Sequence, residues 1–361
     1  MWPDQRIQTL MGIELPIIQA PMAGAGRAEL AIAVAEAGGL GSLPCALMSH
    51  EQLRSQFGII RQQTSKPINV NFFCHRQPEW DDERETRWRR ALAPYYREFG
   101  LDPDAPLTPS NRAPFDEEFC ALVEELRPEV VSFHFGLPER QLLDRVLSTG
   151  AKVIASATTV DEARWLEAGG CHAIIAQGVE AGGHRGMFRS DDVASQIGTF
   201  SLVPLVVDAV KVPVIAAGGV SDGRGIAAAF MLGAAGVQVG TAYLFTPEAT
   251  ISEIHRRALA EGRERETALT NIFTGRPARG FVNRIMRELG PMSAEAPAFP
   301  FAGGAVAPLR TASEAEGSGD FMSLWSGQSG GLCKPMPAGE LTRHLAKEAL
   351  ELLGRATASR V

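Results

Sequence analysis

Residues 176–186 read Ala-Gln-Gly-Val-Glu-Ala-Gly-Gly-His-Arg-Gly, one histidine among four glycines, directly after the apolar run Ala173-Ile174-Ile175-Ala176. Glycine lets backbone approach a bound molecule more closely than any residue with a Cβ. Histidine exchanges a proton near neutral pH without help. A buried strand opening into such a loop is the pattern of a cofactor site with a single acid/base group. His184 is the candidate for that group, and Gly182 a candidate for close approach to the cofactor.

Other residues suit the rest of such a ligand. The run 212–219, Val-Pro-Val-Ile-Ala-Ala-Gly-Gly, ends in a diglycine, and another apolar run ends in Gln238-Val239-Gly240-Thr241. Gly218, Gly219, Gly240 and Thr241 fit a phosphate cradle of backbone N–H groups and one hydroxyl, with no lysine required. Asn69-Val70-Asn71-Phe72-Phe73 alternates, so both amides share a side. A buried amide must find partners. Asn71 and Gln177, each near a strand end, suit the polar edge of a heteroaromatic ring. With Ala20-Pro21-Met22 they outline a flat cofactor carrying one phosphate, which FMN matches. His134, in Ser132-Phe133-His134-Phe135-Gly136, has the opposite parity to its phenylalanines. It faces either the substrate, beside Met22, or a hydrogen-bonded core. His50, His75, His172, His255 and His344 are given no role.

Composition narrows the alternatives. The 361 residues are 45% hydrophobic and 21% charged, enough to bury a large core. A net charge of −7 without a basic block disfavours nucleic acid. The locally basic run 84–90 is interleaved with Asp81, Asp82, Glu83 and Glu85 and reads as a solvated helix face. Five scattered cysteines show neither disulfide nor metal-ligand spacing, Cys74 reads as packing, and no metal is expected. No apolar leader or stretch of 18 apolar residues is found, so a soluble cytoplasmic protein is expected.

These residues need a scaffold. The sequence repeatedly writes a helical stretch, a Gly/Ala turn and a short apolar run, as at 148–155, 167–175 and 232–239. Continuous apolar strands after glycine caps are what a parallel sheet buried on both faces requires. Eight strands are expected: Pro16–Ala20, Gly39–Leu43, Ile68–Phe73, Val130–Phe135, Val153–Ala157, Ala173–Gln177, Val214–Ala217 and Gly236–Val239. They predict a single-domain (β/α)8 TIM barrel spanning 1–361, with catalytic groups at the strands' C-terminal ends. The glycines of Ala20-Pro21-Met22-Ala23-Gly24-Ala25-Gly26 are wrongly spaced for a doubly wound dinucleotide fold. Residues 76–128 read as a helical insertion over the catalytic face. Residues 247–361 read as an extension over the catalytic face: a helix at Ile251–Glu264, a loop region around 275–320, and a terminal helix at Glu340–Leu353.

Several of these segments together resemble the class I nitronate monooxygenases, formerly called 2-nitropropane dioxygenases. They are Gln19-Ala20-Pro21-Met22, Asn69 to His75, Ser132 to Gly136, the His184 loop, Ala216 to Gly219 and Gln238 to Thr241. Ala278-Arg279-Gly280, Asn283-Arg284 and Trp325-Ser326-Gly327-Gln328 extend the likeness through the tail. The resemblance implies an FMN-bearing barrel that oxidises alkyl nitronates, such as propionate 3-nitronate, with O2 to a carbonyl product and nitrite. It implies FMN contacts at Asn71, Gln177, Gly182, Gly219 and Gln238, Val239, Gly240 and Thr241. His184 becomes the acid/base, stabilising nitro-group charge when protonated or taking an α-proton from a nitroalkane when neutral.

One departure bears on specificity. Where the family carries a tyrosine and a lysine after a Pro-Phe pair, this chain reads Pro300-Phe301 followed by Gly303 and Ala307. A substrate carboxylate is then expected to lack that cation, unless Arg185 or Arg310 replaces it. The rivals are an NAD(P)H-dependent enoyl-thioester or quinone reductase on the same barrel, and a flavin-binding protein without turnover. No oligomeric state follows from the sequence.

Overall fold

A computed structural model of the chain describes residues 1–107, 112–262 and 266–358, with side chains through 355. Eight parallel strands form a barrel: β1 (Ile17–Gln19), β2 (Gly41–Pro44), β3 (Ile68–Phe73), β4 (Val130–His134), β5 (Lys152–Ala157), β6 (Ala173–Gln177), β8 (Val214–Ala217) and β9 (Gly236–Val239). Their order is β1-β9-β8-β6-β5-β4-β3-β2, and a parallel bridge between Ile18 and Leu40 closes the ring. The TIM barrel expected from the sequence is what forms. Four strands have the expected limits, and the other four shift by one or two residues. Phe135 leaves β4 because its backbone turns into the left-handed region, at φ 70°.

Local chemistry explains the alternation. The Thr159 side chain accepts from Glu162 N and starts helix Val160–Gly169, and Gly170 at φ 105° ends it. The Asp222 carboxylate accepts from Arg224 N and Gly225 N to start helix Gly223–Met231. Inside the barrel Ile18, Val130, Ile154, Ile175 and Ile215 are buried together, and helix Arg6–Met11 plugs the lower end with Ile7 and Met11. The opposite strand faces, including Val237 and Val239, pack on the helices.

Of residues 76–128, helix Glu117–Leu126 joins the outer ring, while helix Asp82–Glu98 packs away from it. Trp88, Leu92, Tyr95 and Tyr96 build a second core with Ile272, Phe273, Val306, Leu309 and Phe321 of the tail. Trp88 Nε1 donates to Ala302 O at 3.2 Å and Tyr96 OH to Ala305 O at 2.7 Å. These contacts hold helix Gly303–Ala315, which falls within the loop region expected around 275–320.

The tail also contributes an antiparallel sheet of β10 (Thr267–Thr270), β11 (Ala278–Phe281) and β7 (Gly183–His184), in the order β10-β11-β7. The helix expected at Ile251–Glu264 spans Glu253–Ala260, and Glu264 lies outside the described residues. The terminal helix Ala338–Ala358 is longer than expected and returns to the barrel wall between helices Gly223–Met231 and Ala28–Glu36. A Cβ on Gly223 would come within 2.3 Å of Glu348 Cβ, so that close crossing needs glycine.

Candidate functional site

The C-terminal ends of the strands open into a cavity of about 490 Å³. Ala20, Met22, Asn71, His134, Gln177, Gly182, His184, Gly218, Gly219, Gln238, Gly240 and Thr241 all line it. Residues spread over more than 220 positions of sequence therefore meet where a barrel places its chemistry. Val239 is the exception. Its side chain faces the helix layer, because alternation that turns Gln238 inward turns Val239 outward.

His184 sits on a built platform, not on the mobile loop its glycines suggest. Residues 183–184 pair with Ala278 and Arg279 of β11, and Arg185 N donates to Pro277 O at 2.8 Å. The His184 carbonyl accepts from Gln177 Nε2 at 3.0 Å and lies 3.3 Å from His134 Nε2. Gln177 Oε1 accepts from Gly186 N at 2.7 Å. Both ends of the Gln177 amide thus clamp the loop, which leaves less of it for the ring edge expected from sequence. Arg185 is fully buried and donates to the Gln177 and Gly178 carbonyls, each at 2.6 Å. It braces the loop from behind and is not a cation for substrate.

The imidazole of His184 stands among Phe73, Phe135, Phe299 and Trp325, with ring centroids between 5.5 and 6.2 Å away. Its Nε2 is 2.9 Å from Thr274 Oγ1. Burial, then the charge of Arg112 and lesser contributions from His134, Arg276 and His75, hold its pKa well below the usual histidine value. That shift favours the neutral imidazole at neutral pH. A neutral imidazole can accept a proton.

His134 faces the cavity side of its strand, yet both ring nitrogens are engaged: Nδ1 is 3.0 Å from Ser156 Oγ, and Nε2 faces the His184 carbonyl. Burial brings its pKa down to about 3. It supports the loop before it meets a substrate. Asn71 donates to Ser132 O and Oγ at 3.2 and 2.9 Å, while Asn69 lies deeper and donates to Ser42 Oγ at 2.9 Å. Gly182 lines the cavity, but a Cβ there would also reach Gly327 N at 2.6 Å, so packing alone demands glycine.

A flat cofactor with a phosphate fits what remains. Gln238 Oε1 is buried in the cavity wall without a hydrogen-bond partner among the described residues. Gly218 and Gly219 adopt φ 98° and 72°, a turn that side chains resist. Thr241 Oγ1 accepts from Gly327 N at 3.0 Å and keeps its own hydrogen to donate. No cluster able to hold a metal occurs among the described residues, and all five cysteines are free thiols. No described helix is long and apolar enough to cross a membrane.

Sequence reasoning missed several contributors. Thr274 and Arg276 come from the tail, and no motif marks them; Trp325, quoted above only for the family likeness, stands against the His184 ring. His255 lines the cavity with its Nε2 3.0 Å from Trp325 O, and burial lowers its pKa to about 4. His75 is buried against Phe299, centroids 4.7 Å apart, beside the His184 cage. His50, His172 and His344 stay outside the site, beside Glu118 and Glu348 or accepting from Val153 N.

The nitronate monooxygenase family profile matches residues 4–348. The chain is 43% identical to the nitronate monooxygenase of Pseudomonas aeruginosa over 345 residues, covering 95% of this chain and 98% of that protein. The chain belongs to the nitronate monooxygenase family. It is 42% identical to the nitronate monooxygenase of Paraburkholderia phytofirmans, with 94% and 93% covered. Among solved structures it resembles nitroalkane oxidase from Streptomyces ansochromogenes, with TM-score 0.86, 39% identity and 96% and 98% covered. It also resembles FabK from Thermotoga maritima, with TM-score 0.77, 29% identity and 98% of each chain covered. Like the nitronate monooxygenases, the chain is an oxidoreductase, in a family of flavoenzymes.

Although Gly303 and Ala307 stand where the family's tyrosine and lysine are expected, arginines still reach the cavity. Gly303 and Ala307 lie on helix Gly303–Ala315, and Arg310, one turn beyond Ala307, lines the cavity with Arg112 and Glu314. The Arg112 pKa is lowered by burial first and by Arg310 second. This nitronate monooxygenase relative thus carries an electropositive end to its cavity, next to His184.

Proposed function

We propose that the chain binds FMN in this cavity and oxidises alkyl nitronates with O2 to a carbonyl product and nitrite. The observation that carries the reading is the convergence of His184, the glycine pairs and Gln238 on one cavity at the strand ends. Gly218, Gly219, Gly240 and Thr241 would hold the phosphate, and Asn71 and Gln238 the polar edge of the ring. Ala20, Met22 and Gly182 would lie against it, with Gln177 acting through the loop it clamps. FMN supplies the electron transfer to O2 when bound; the protein supplies placement and field.

The chain's own groups handle the organic substrate. A nitronate is anionic, and Arg112 and Arg310 line the wall it would approach. The rings of Phe73, Phe135, Phe299 and Trp325 exclude water around the imidazole, and Met22 lines the cavity where the substrate would sit. His184, held neutral, can take the α-proton of a nitroalkane and so admit the acid form of the substrate. A reducing cytoplasm suits its five free thiols.

The likeness to FabK keeps an NAD(P)H-dependent reductase as the second reading. One experiment separates them. Purified protein is denatured and the released flavin identified, then anaerobic holoenzyme is mixed with propionate 3-nitronate or NADH. FMN release and bleaching by the nitronate alone are expected. Bleaching by NADH alone favours the reductase, and FAD or no flavin after reconstitution rejects the cofactor assignment.

A further inference from the structure

We propose that Thr274 is a positioning residue for His184: its buried hydroxyl takes the Nε2–H of the imidazole and so presents Nδ1, without a proton, to the cavity. The inference rests on the reading above, in which His184 meets the nitro compound. The contact is 2.9 Å, between a threonine that is 2% exposed and a ring fixed on four sides by aromatic neighbours. Nε2 is therefore committed to protein, and Nδ1 is the nitrogen left to react.

The direction of that hydrogen bond follows from the surroundings. Thr274 Oγ1 has a second acceptor for its hydrogen, the Arg276 carbonyl at 3.4 Å, which frees its lone pairs for the imidazole N–H. Arg276 N also donates to the same oxygen at 3.4 Å. Arg112 lines the cavity, and the Arg276 guanidinium lies 4.1 Å over the Phe135 ring beside His184. Positive charge on the cavity side favours the tautomer whose lone pair points there and whose N–H points away. The commonest alternative, a histidine whose tautomer is set by a carboxylate, has no support here: no carboxylate is bonded to the ring among the described residues.

The consequence is a substrate form. With Nδ1 bare, the α-C–H bond of a neutral nitroalkane breaks and its electron pair moves into the nitro group. The proton forms a new N–H bond at Nδ1, leaving a nitronate and an imidazolium. With the opposite tautomer, Nδ1–H donates to a nitronate oxygen and cannot take that proton.

The test compares wild type, Thr274→Val and Thr274→Ser holoenzyme. Selective ¹⁵N-histidine NMR above neutral pH, with the His184 signals located by their loss in His184→Asn, reports the tautomer directly. Wild type and Thr274→Ser should show the proton on Nε2, and Thr274→Val should show a shift toward Nδ1–H. In parallel, kcat with nitroethane should fall about tenfold or more in Thr274→Val and recover in Thr274→Ser. KM for the preformed nitronate should stay within about twofold. Proton on Nδ1 in wild type, or a valine variant with unchanged tautomer and nitroethane turnover, overturns the proposal. Protein that shows the Nε2–H tautomer and its loss in Thr274→Val, but turns over neither substrate, sinks the functional reading and leaves the tautomer assignment standing.

Discussion

The Nε2 of His134 lies 3.3 Å from the carbonyl oxygen of His184, and its Nδ1 lies 3.0 Å from Ser156 Oγ. A side chain from the end of β4 thus braces the peptide of a residue 50 positions later. His134→Phe keeps the ring's bulk and loses both contacts, each worth about 1 kcal/mol net. A fall in kcat of roughly tenfold is expected, with flavin still bound and partial recovery in His134→Gln. Wild-type kcat in His134→Phe would show that Gln177 alone holds the carbonyl.

Loss of the imidazole itself should cost more. His184→Asn is expected to retain FMN, since the proposed phosphate cradle lies on other strands, and to lose about 10²-fold or more in turnover, the usual scale for a positioned acid/base. Steady-state kinetics with nitroethane, whose α-proton His184 would take, decide it. An unchanged kcat/KM would make His184 a structural member of its aromatic cage.

Arg310 offers a test of specificity. A charge-assisted hydrogen bond to a carboxylate contributes about 1.5–3 kcal/mol, roughly a ten- to hundredfold effect on affinity. Arg310→Ala should lower kcat/KM for propionate 3-nitronate by at least tenfold and that for a neutral alkyl nitronate by less than threefold. Glu314, one turn on and also lining the cavity, gives the opposite sign: Glu314→Gln should favour the carboxylate substrate. Equal losses on both substrates for Arg310→Ala would place this cation on the nitro group or on the cofactor.

Buried neutral histidines also set a pH limit on stability. Burial is the chief cause that lowers His75 and His255 to about 4 and His134 to about 3, from 6.5. Between those values the unfolded chain binds protons that the folded chain does not, so stability falls as pH falls. It should be fully present above about pH 6.5 and decline progressively toward pH 4. Thermal melts across that range, with flavin saturating, measure it. A Tm that stays flat from pH 7 to 5 would mean that these rings are hydrated or protonated in the folded state.

The sequence by itself determined the barrel and most of the cavity lining. Short apolar runs between glycine-capped helices have one economical solution when both faces must be buried, and strand parity then decides which residues turn inward. Asn71 and Gln177 are assignable to the mouth on that ground; Gln238 and Val239 are expected there only from the family resemblance, and parity in the folded strand turns Gln238 inward and Val239 outward. Gly218 and Gly219 were legible because a turn at positive φ leaves a mark in residue type.

What only the tertiary structure decided are the partners that reach the site from far along the chain. Thr274 meets His184 across 90 positions, Arg310 enters on a helix held by Trp88 and Tyr96, and β11 turns a glycine-rich loop into a sheet edge. Thr274 and Arg310 carry no local signature, since a threonine on a tail segment or an arginine on a helix is ordinary in sequence. Their roles arise from burial and distance, and so did the neutral state of His184, which no residue type or spacing encodes.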